Sequence, residues 1–249
     1  MMRSTLLVIP VALFMASTSM AADMAPMETM RPVSDWTGVY AGVQLGGAFG
    51  DTGTFALSPF TPALQGAFAP GFSSDFDNSI IGGASLGYDW QINNFVVGGV
   101  IDFNFTDLND KQIGRSLTPA TYTISRELDM LATLRARAGY LATDSLLIYA
   151  TGGLAYGDVD FGYSQPGSAA VTTTTGGQKD DFGYTVGAGV ETKLTEKISI
   201  GAEYLYTNLG GNDFRANLVG GPFGAGTTGR GTDGDFDFHT VQVKLNYRF

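Results

Sequence analysis

Ten ionisable side chains stand at even spacings inside otherwise apolar or glycine-rich stretches: Asp102, Glu127 and Asp129, Arg135 and Arg137, Glu191 and Lys193, Glu203, and Lys244 and Arg248. On an extended chain, residues two apart share a face. These acids and bases can therefore be gathered on one surface and neutralise each other. Enclosed charges are costly unless paired or hydrated, so we expect a network in which Arg135 and Arg137 meet carboxylates from neighbouring strands. Such a network could fill an interior, which is the reading adopted, or line a small diffusion path, which is the alternative. Hydrolysis is not expected. A hydroxyl nucleophile needs an imidazole beside it, and the single histidine, His239, stands next to Thr240 with no serine two residues on. No catalytic residue, metal ligand or cofactor site is expected. The thirteen aspartates assigned to loops and rim, among them Asp75, Asp77, Asp107, Asp158 and Asp160, have no EF-hand spacing and read as a solvated acidic surface.

The elements that must position these groups are strands. From Asp237 to Phe249, Val241, Val243, Leu245, Tyr247 and Phe249 alternate with Gln242, Lys244, Asn246 and Arg248, giving one oily and one wet face. Seven earlier segments carry the same pattern: 36–50, 78–90, 95–106, 125–141, 146–158, 181–194 and 198–208. In the second, Ser85, Gly87 and Asp89 form the polar face; in the fourth, Leu128 and Met130 are assigned to the apolar face opposite Glu127 and Asp129. His239 shares parity with Phe249 and is expected to point away from the interior.

The connections alternate long and short along the chain, with long loops near 51–77, 107–124, 159–180 and 209–236. A soluble sandwich has no reason to place every long loop at one end, whereas an outer-membrane barrel has short periplasmic turns and long external loops. Each strand is long enough for the roughly 9–11 residues that cross a bilayer at a tilt. Two aromatic belts are expected at the membrane interfaces: Trp36, Trp90, Tyr140, Tyr247 and Phe249 near the short turns, and Phe103, Phe105, Tyr156, Phe182, Tyr204 and Tyr206 near the long loops. The fold expected is all-β: an eight-stranded antiparallel up-and-down transmembrane β-barrel over residues 36–249, with short periplasmic turns and four long extracellular loops.

Residues 1–21 read as a secretory signal peptide, with Arg3, an apolar run from Leu6 to Met15 and small residues before cleavage after Ala21, or alternatively after Ala22. Residues 22–35 read as a flexible periplasmic lead. The chain has no cysteine and a net charge of −10, which makes nucleic acid an unsuitable partner. The first long loop is unusually apolar, with Phe55, Leu57, Phe60, Leu64, Phe68 and Phe72, and is expected to fold over the barrel mouth or bind a partner.

The stretches DWTGVYAGVQLGGAFG at 35–50, LRARAGYL at 134–141, LLIYATGGLAYG at 146–157, FGYTVGAGVE at 182–191, EYLYTNLG at 203–210 and the terminal LNYRF together resemble the porin-family small barrels often called outer membrane immunogenic proteins, related in fold to OmpA-like and opacity-like barrels. The resemblance spans nearly all of the mature chain. It implies a place in the Gram-negative outer membrane, in contact with membrane lipid and lipopolysaccharide, and surface-exposed, often immunogenic loops. It also implies insertion by the outer-membrane assembly machinery through the last strand, with Leu245, Tyr247 and Phe249 as the signal. It implies neither a defined activity nor an oligomeric state. No peptidoglycan-binding domain is expected after Phe249.

Overall fold

The computed structural model describes residues 35–50, 55–117, 120–166, 171–176, 180–211, 214–230 and 235–249. The expected signal segment and residues 22–34 of the lead lie outside them. Among the described residues thirteen strands follow in chain order: β1 Gly38–Phe49, β2 Ala56–Ser58, β3 Phe72–Asp77, β4 Ser79–Ile92, β5 Phe95–Arg115, β6 Thr121–Thr143, β7 Leu146–Ser164, β8 Val171–Thr175, β9 Asp180–Lys193, β10 Ile198–Asn208, β11 Arg215–Val219, β12 Thr227–Arg230 and β13 Asp237–Arg248. One short helix, α1 Pro62–Ala67, lies between β2 and β3.

Eight of these strands form a closed antiparallel ring in the order β1, β4, β5, β6, β7, β9, β10, β13 and back to β1. The seam pairs Tyr40 with Arg248 and runs to Phe49 opposite His239. Phe249 extends it, donating its N–H to the carbonyl of Val39 at 3.1 Å. Closure removes the unpaired edges of an open sheet; within a bilayer, where no water can satisfy them, it is a requirement.

Small residues with built-in hydrogen bonds make the tight turns. Asn93 takes φ 55°, a conformation that asparagine tolerates better than most residues. The Thr143 hydroxyl accepts from the Leu146 N–H at 3.1 Å, and the Thr195 hydroxyl from the N–H of Ile198 at 2.9 Å. Between the turns and the upper rim, the outward positions are apolar and exposed, among them Val43, Leu45, Ile80, Leu86, Ile101, Leu134, Leu154, Val243 and Leu245. An apolar belt turned to the surroundings is the reverse of a water-soluble protein and fits lipid.

The upper half departs from expectation. The segment read as a second long loop continues as strand: β5 reaches Arg115, β6 starts at Thr121, and Arg115 pairs with Thr121. Above the membrane the outer face meets water, so apolar alternation stops while the hydrogen-bond ladder continues. There β3 replaces β4 as the partner of β5, from Asp77 opposite Asn109 to Phe72 opposite Gly114.

The outer connections also build a second, four-stranded sheet in the order β2, β12, β11, β8. Beneath it Phe55, Leu57, Leu64, Phe68, Leu218 and Phe223 pack with Tyr122 and Ile124 of β6. The first loop thus joins the later outer connections in a small lid with a shared apolar core. Burial pushes the phenols of Tyr122 and Tyr163 in this region above their ordinary range.

Candidate functional site

Inward-facing residues of the ring strands meet in the barrel interior, where eight strands leave room only for packed side chains. Glycine supplies some of that room. A Cβ on Gly189 of β9 would lie 2.6 Å from Cζ of Tyr149 on β7, so the phenol can lie flat only because that position is bare. Gly87 of β4 gives Tyr40 of β1 the same clearance.

At the periplasmic end, Arg137 of β6 donates through Nε to Asp89 of β4 at 2.7 Å and through Nη1 to Glu191 of β9 at 2.8 Å. Arg248 of β13 reaches past β1 to the same Asp89 at 2.8 Å. Glu191 also accepts from Ser199 at 2.6 Å and Asn246 at 3.0 Å. The Arg137 guanidinium lies 4.9 Å from the Tyr40 ring centroid and 5.1 Å from that of Tyr149, a cation–π arrangement. This lower node holds two carboxylates and two cations, so its formal charge is zero.

An upper node repeats the design. Arg135 of β6 bridges Asp102 at 2.7 Å and Glu203 at 3.0 Å, and Lys244 of β13 reaches Asp102 at 3.1 Å and Glu203 at 3.6 Å. Thr133 donates to Asp102 at 2.9 Å, and Gln242 and Tyr149 each donate to Glu203 at 2.8 Å. Asp102, Arg135 and Glu203 are each 3% exposed or less. Such burial is tolerable only with this degree of pairing. Tyr149, bound to Glu203 and stacked with Arg137, joins the nodes.

Apolar material closes both ends of the charged section. Below, Trp36, Val96, Leu141 and Leu147 pack with Tyr149. Trp36 was expected in the lower aromatic belt and is instead fully buried in the mouth. The chain bends at Gly38, φ 137°, before the strand begins, and Arg248 binds the Trp36 carbonyl. Above, Ala48, Ile81, Leu131, Ala155 and Phe238 form an apolar layer with Leu108, Leu128 and Val159. Higher still lies the buried Arg126–Asp110 ion pair, with Arg126 4.9 Å from the Phe236 ring centroid.

Of the ten charged residues singled out in the sequence, Asp102, Arg135, Arg137, Glu191, Glu203, Lys244 and Arg248 meet in the two nodes. Glu127 and Asp129 do not: both side chains are exposed. The cause is a register shift between Leu128 and Met130 against β7, a β-bulge that reverses inside and outside along β6. Leu128, assigned to the outer face, therefore turns inward, as do Arg126 and Ile124. Lys193 lies at the lower rim, its ammonium 2.6 Å from the Asp35 carbonyl and over the Trp36 ring, and takes no part in either node. Asp89, Asp110 and Arg126 are network members outside the ten. Parity was enough to place Asp89, which sits on the polar face of its strand; Asp110 and Arg126 lie beyond the expected strand end or beyond the bulge.

Leu245, Tyr247 and Phe249 face outward and are exposed. His239 also points out, its Nδ1 2.6 Å from the Tyr204 hydroxyl and its ring stacked on Phe49. It belongs to the upper aromatic belt.

An apolar outer wall, closed ring and neutralised interior define an integral outer-membrane barrel. The chain matches the family model described as outer membrane protein beta-barrel domain over residues 9–249 and belongs to that family. It is 33% identical over 258 aligned positions to the 31 kDa outer-membrane immunogenic protein of Brucella melitensis, covering 100% of both chains. It is 29% identical to the 22 kDa outer membrane protein of Rhizobium leguminosarum, over 92% of this chain and 83% of that one. The crystal structure of the outer membrane protein OprG from Pseudomonas aeruginosa has the same fold, with TM-score 0.53 at 16% identity, over 87% of this chain and 99% of the other. The protein is thus an outer-membrane barrel by lineage as well as by physics.

Proposed function

We propose that the protein is a closed structural barrel of the outer membrane that displays a folded lid at the cell surface and conducts no ions. The observation that carries this reading is the sequence of fillings along the axis: the Trp36 cluster, two neutral ion nodes, an apolar layer of Leu131, Ile81 and Phe238, and the lid core. A pore needs a continuous polar path, and the apolar layer interrupts one. The reading involves no enzymatic activity, since His239 is engaged with Tyr204 and Phe49 on the outer wall. Planar-bilayer recording of the pure protein is expected to stay at baseline. Stable unitary current steps that vanish on adding bulk to the apolar layer, as in Ala155→Phe, would instead establish a channel.

The immunogenic character named in the Brucella relative fits a lid held at the surface. Partners in this reading are membrane lipid and lipopolysaccharide around the wall, and the assembly machinery during insertion, through Leu245, Tyr247 and Phe249. Deleting Phe249 is expected to lower the outer-membrane yield in cells; an unchanged yield would remove the last residue from the signal.

A further inference from the structure

Shallow apolar grooves run along the outer wall between strands, and their periplasmic ends differ. One groove, of about 360 Å³, is lined by Ala41, Val43, Ile198, Leu245 and Tyr247 across the β1–β13–β10 surface. Another, of about 470 Å³, is lined by Phe95, Val97, Ala138, Tyr140, Ile148 and Ala150. The turns below the second hold Asn93, Asn94 and Asp144. Below the first stands Lys197, its ammonium 3.5 Å from the Tyr247 hydroxyl and 5.6 Å from that ring's centroid. Glu196 precedes it in the same turn, and the neighbouring Arg248 side chain is turned inward to Asp89.

Register fixes the direction of the first groove. Tyr247 lies opposite Ala41 and Ile198 at the periplasmic rim, and Leu245 opposite Val43 and Ile200 one step nearer the membrane centre. The small side chain of Ala41 between Val39 and Val43 provides the depth. A cation and a phenol hydroxyl at the interface, followed by an apolar channel toward the bilayer centre, have the polarity of a phospholipid of the inner leaflet. Tyrosine favours the headgroup level, and a lysine beside it supplies the charge that a phosphate needs.

We propose that this groove seats one phospholipid, with an acyl chain along Val43, Leu245 and Ile198 and phosphate oxygens accepting from the Lys197 ammonium and the Tyr247 hydroxyl. The proposal rests on the membrane placement and orientation of the barrel and is independent of whether the lumen conducts. The test is native mass spectrometry of the full mature protein released from detergent micelles doped with palmitoyl-oleoyl phosphatidylglycerol. The wild type is expected to retain one lipid. Ala41→Leu, which fills the groove, should weaken retention about tenfold, and Lys197→Ala up to about fivefold. Ala138→Leu in the second groove should leave retention unchanged, and glycerol phosphate, the head without chains, should not compete. Heat-modifiable gel mobility verifies that each variant is folded. Equal retention by wild type, Ala41→Leu and Lys197→Ala, or a larger loss from Ala138→Leu, would overturn the proposal.

Discussion

In the membrane wall Leu245 and Tyr247 face outward while Lys244 and Arg248 face in; in the lid Ala216 and Leu218 face in while Arg215 and Asn217 face outward. Both regions are antiparallel sheet, and both obey the two-residue period. What differs is the solvent beyond the outer face. Lipid takes the apolar side of each wall strand, which leaves the polar side to be satisfied internally by ion pairs. Water takes the polar side of the lid strands, which leaves an ordinary apolar core. One chain therefore carries two interiors of opposite chemistry, joined where β6 bulges at Asp129.

The largest expected effect comes from unbalancing the charged interior. Arg137→Ala leaves Asp89 and Glu191 short of a shared cation and should destabilise the barrel by about 3–5 kcal/mol, read as a lowered urea midpoint of gel-mobility unfolding in detergent. If a neutral leucine at 137 were tolerated equally with arginine, the node would be filler without electrostatic consequence. Phe68→Ala removes an aromatic side chain from the lid core and should cost about 3–5 kcal/mol locally. The expected readout is protease cleavage of the loops with the barrel midpoint unchanged; a joint loss of lid and barrel would show that the two interiors fold as one.

A subtler experiment addresses the boundary. The chain has no cysteine, so Glu127→Cys and Arg126→Cys can be labelled cleanly with a membrane-impermeant maleimide. Position 127 should react and position 126 should not, and deleting Asp129, the extra residue of the bulge, should leave both results unchanged, because plain alternation from Leu131 then still turns 126 inward and 127 outward. The smallest effect is expected at the Lys111–Asp77 pair, 3.5 Å apart with both side chains about half exposed. Asp77→Ala should change the stability read from the urea unfolding curve by no more than about 1 kcal/mol.

The wall was legible because lipid enforces strict alternation, and β1, β10 and β13 run close to the boundaries their sequences suggest. The same rule located seven of the charged residues in the nodes. It failed at Asp129, because a bulge shifts parity by one residue and every position above it inherits the shift. It also failed for β5 and β6 above the membrane, where both faces are polar or mixed, and for the lid, whose strands of three to five residues come from separate loops and pair only through long-range contacts. Trp36 escaped because an aromatic residue just before a strand suits an interface equally well until the bend at Gly38 turns it inward.

The neutrality of the two nodes has a consequence for the cell envelope. Since Asp89, Asp102, Glu191 and Glu203 are matched by Arg135, Arg137, Lys244 and Arg248, none of the chain's net charge of −10 resides in the lumen. The surplus lies outside the charged section of the barrel, with Asp75, Asp77, Asp107, Glu127, Asp129 and Asp160 exposed on its outward-facing upper part. Each copy thus presents an anionic crown to its surroundings. Neighbouring copies should repel one another at distances up to the screening length, about 10 Å in 0.1 M salt, so their lateral spacing becomes a property that ionic strength can tune.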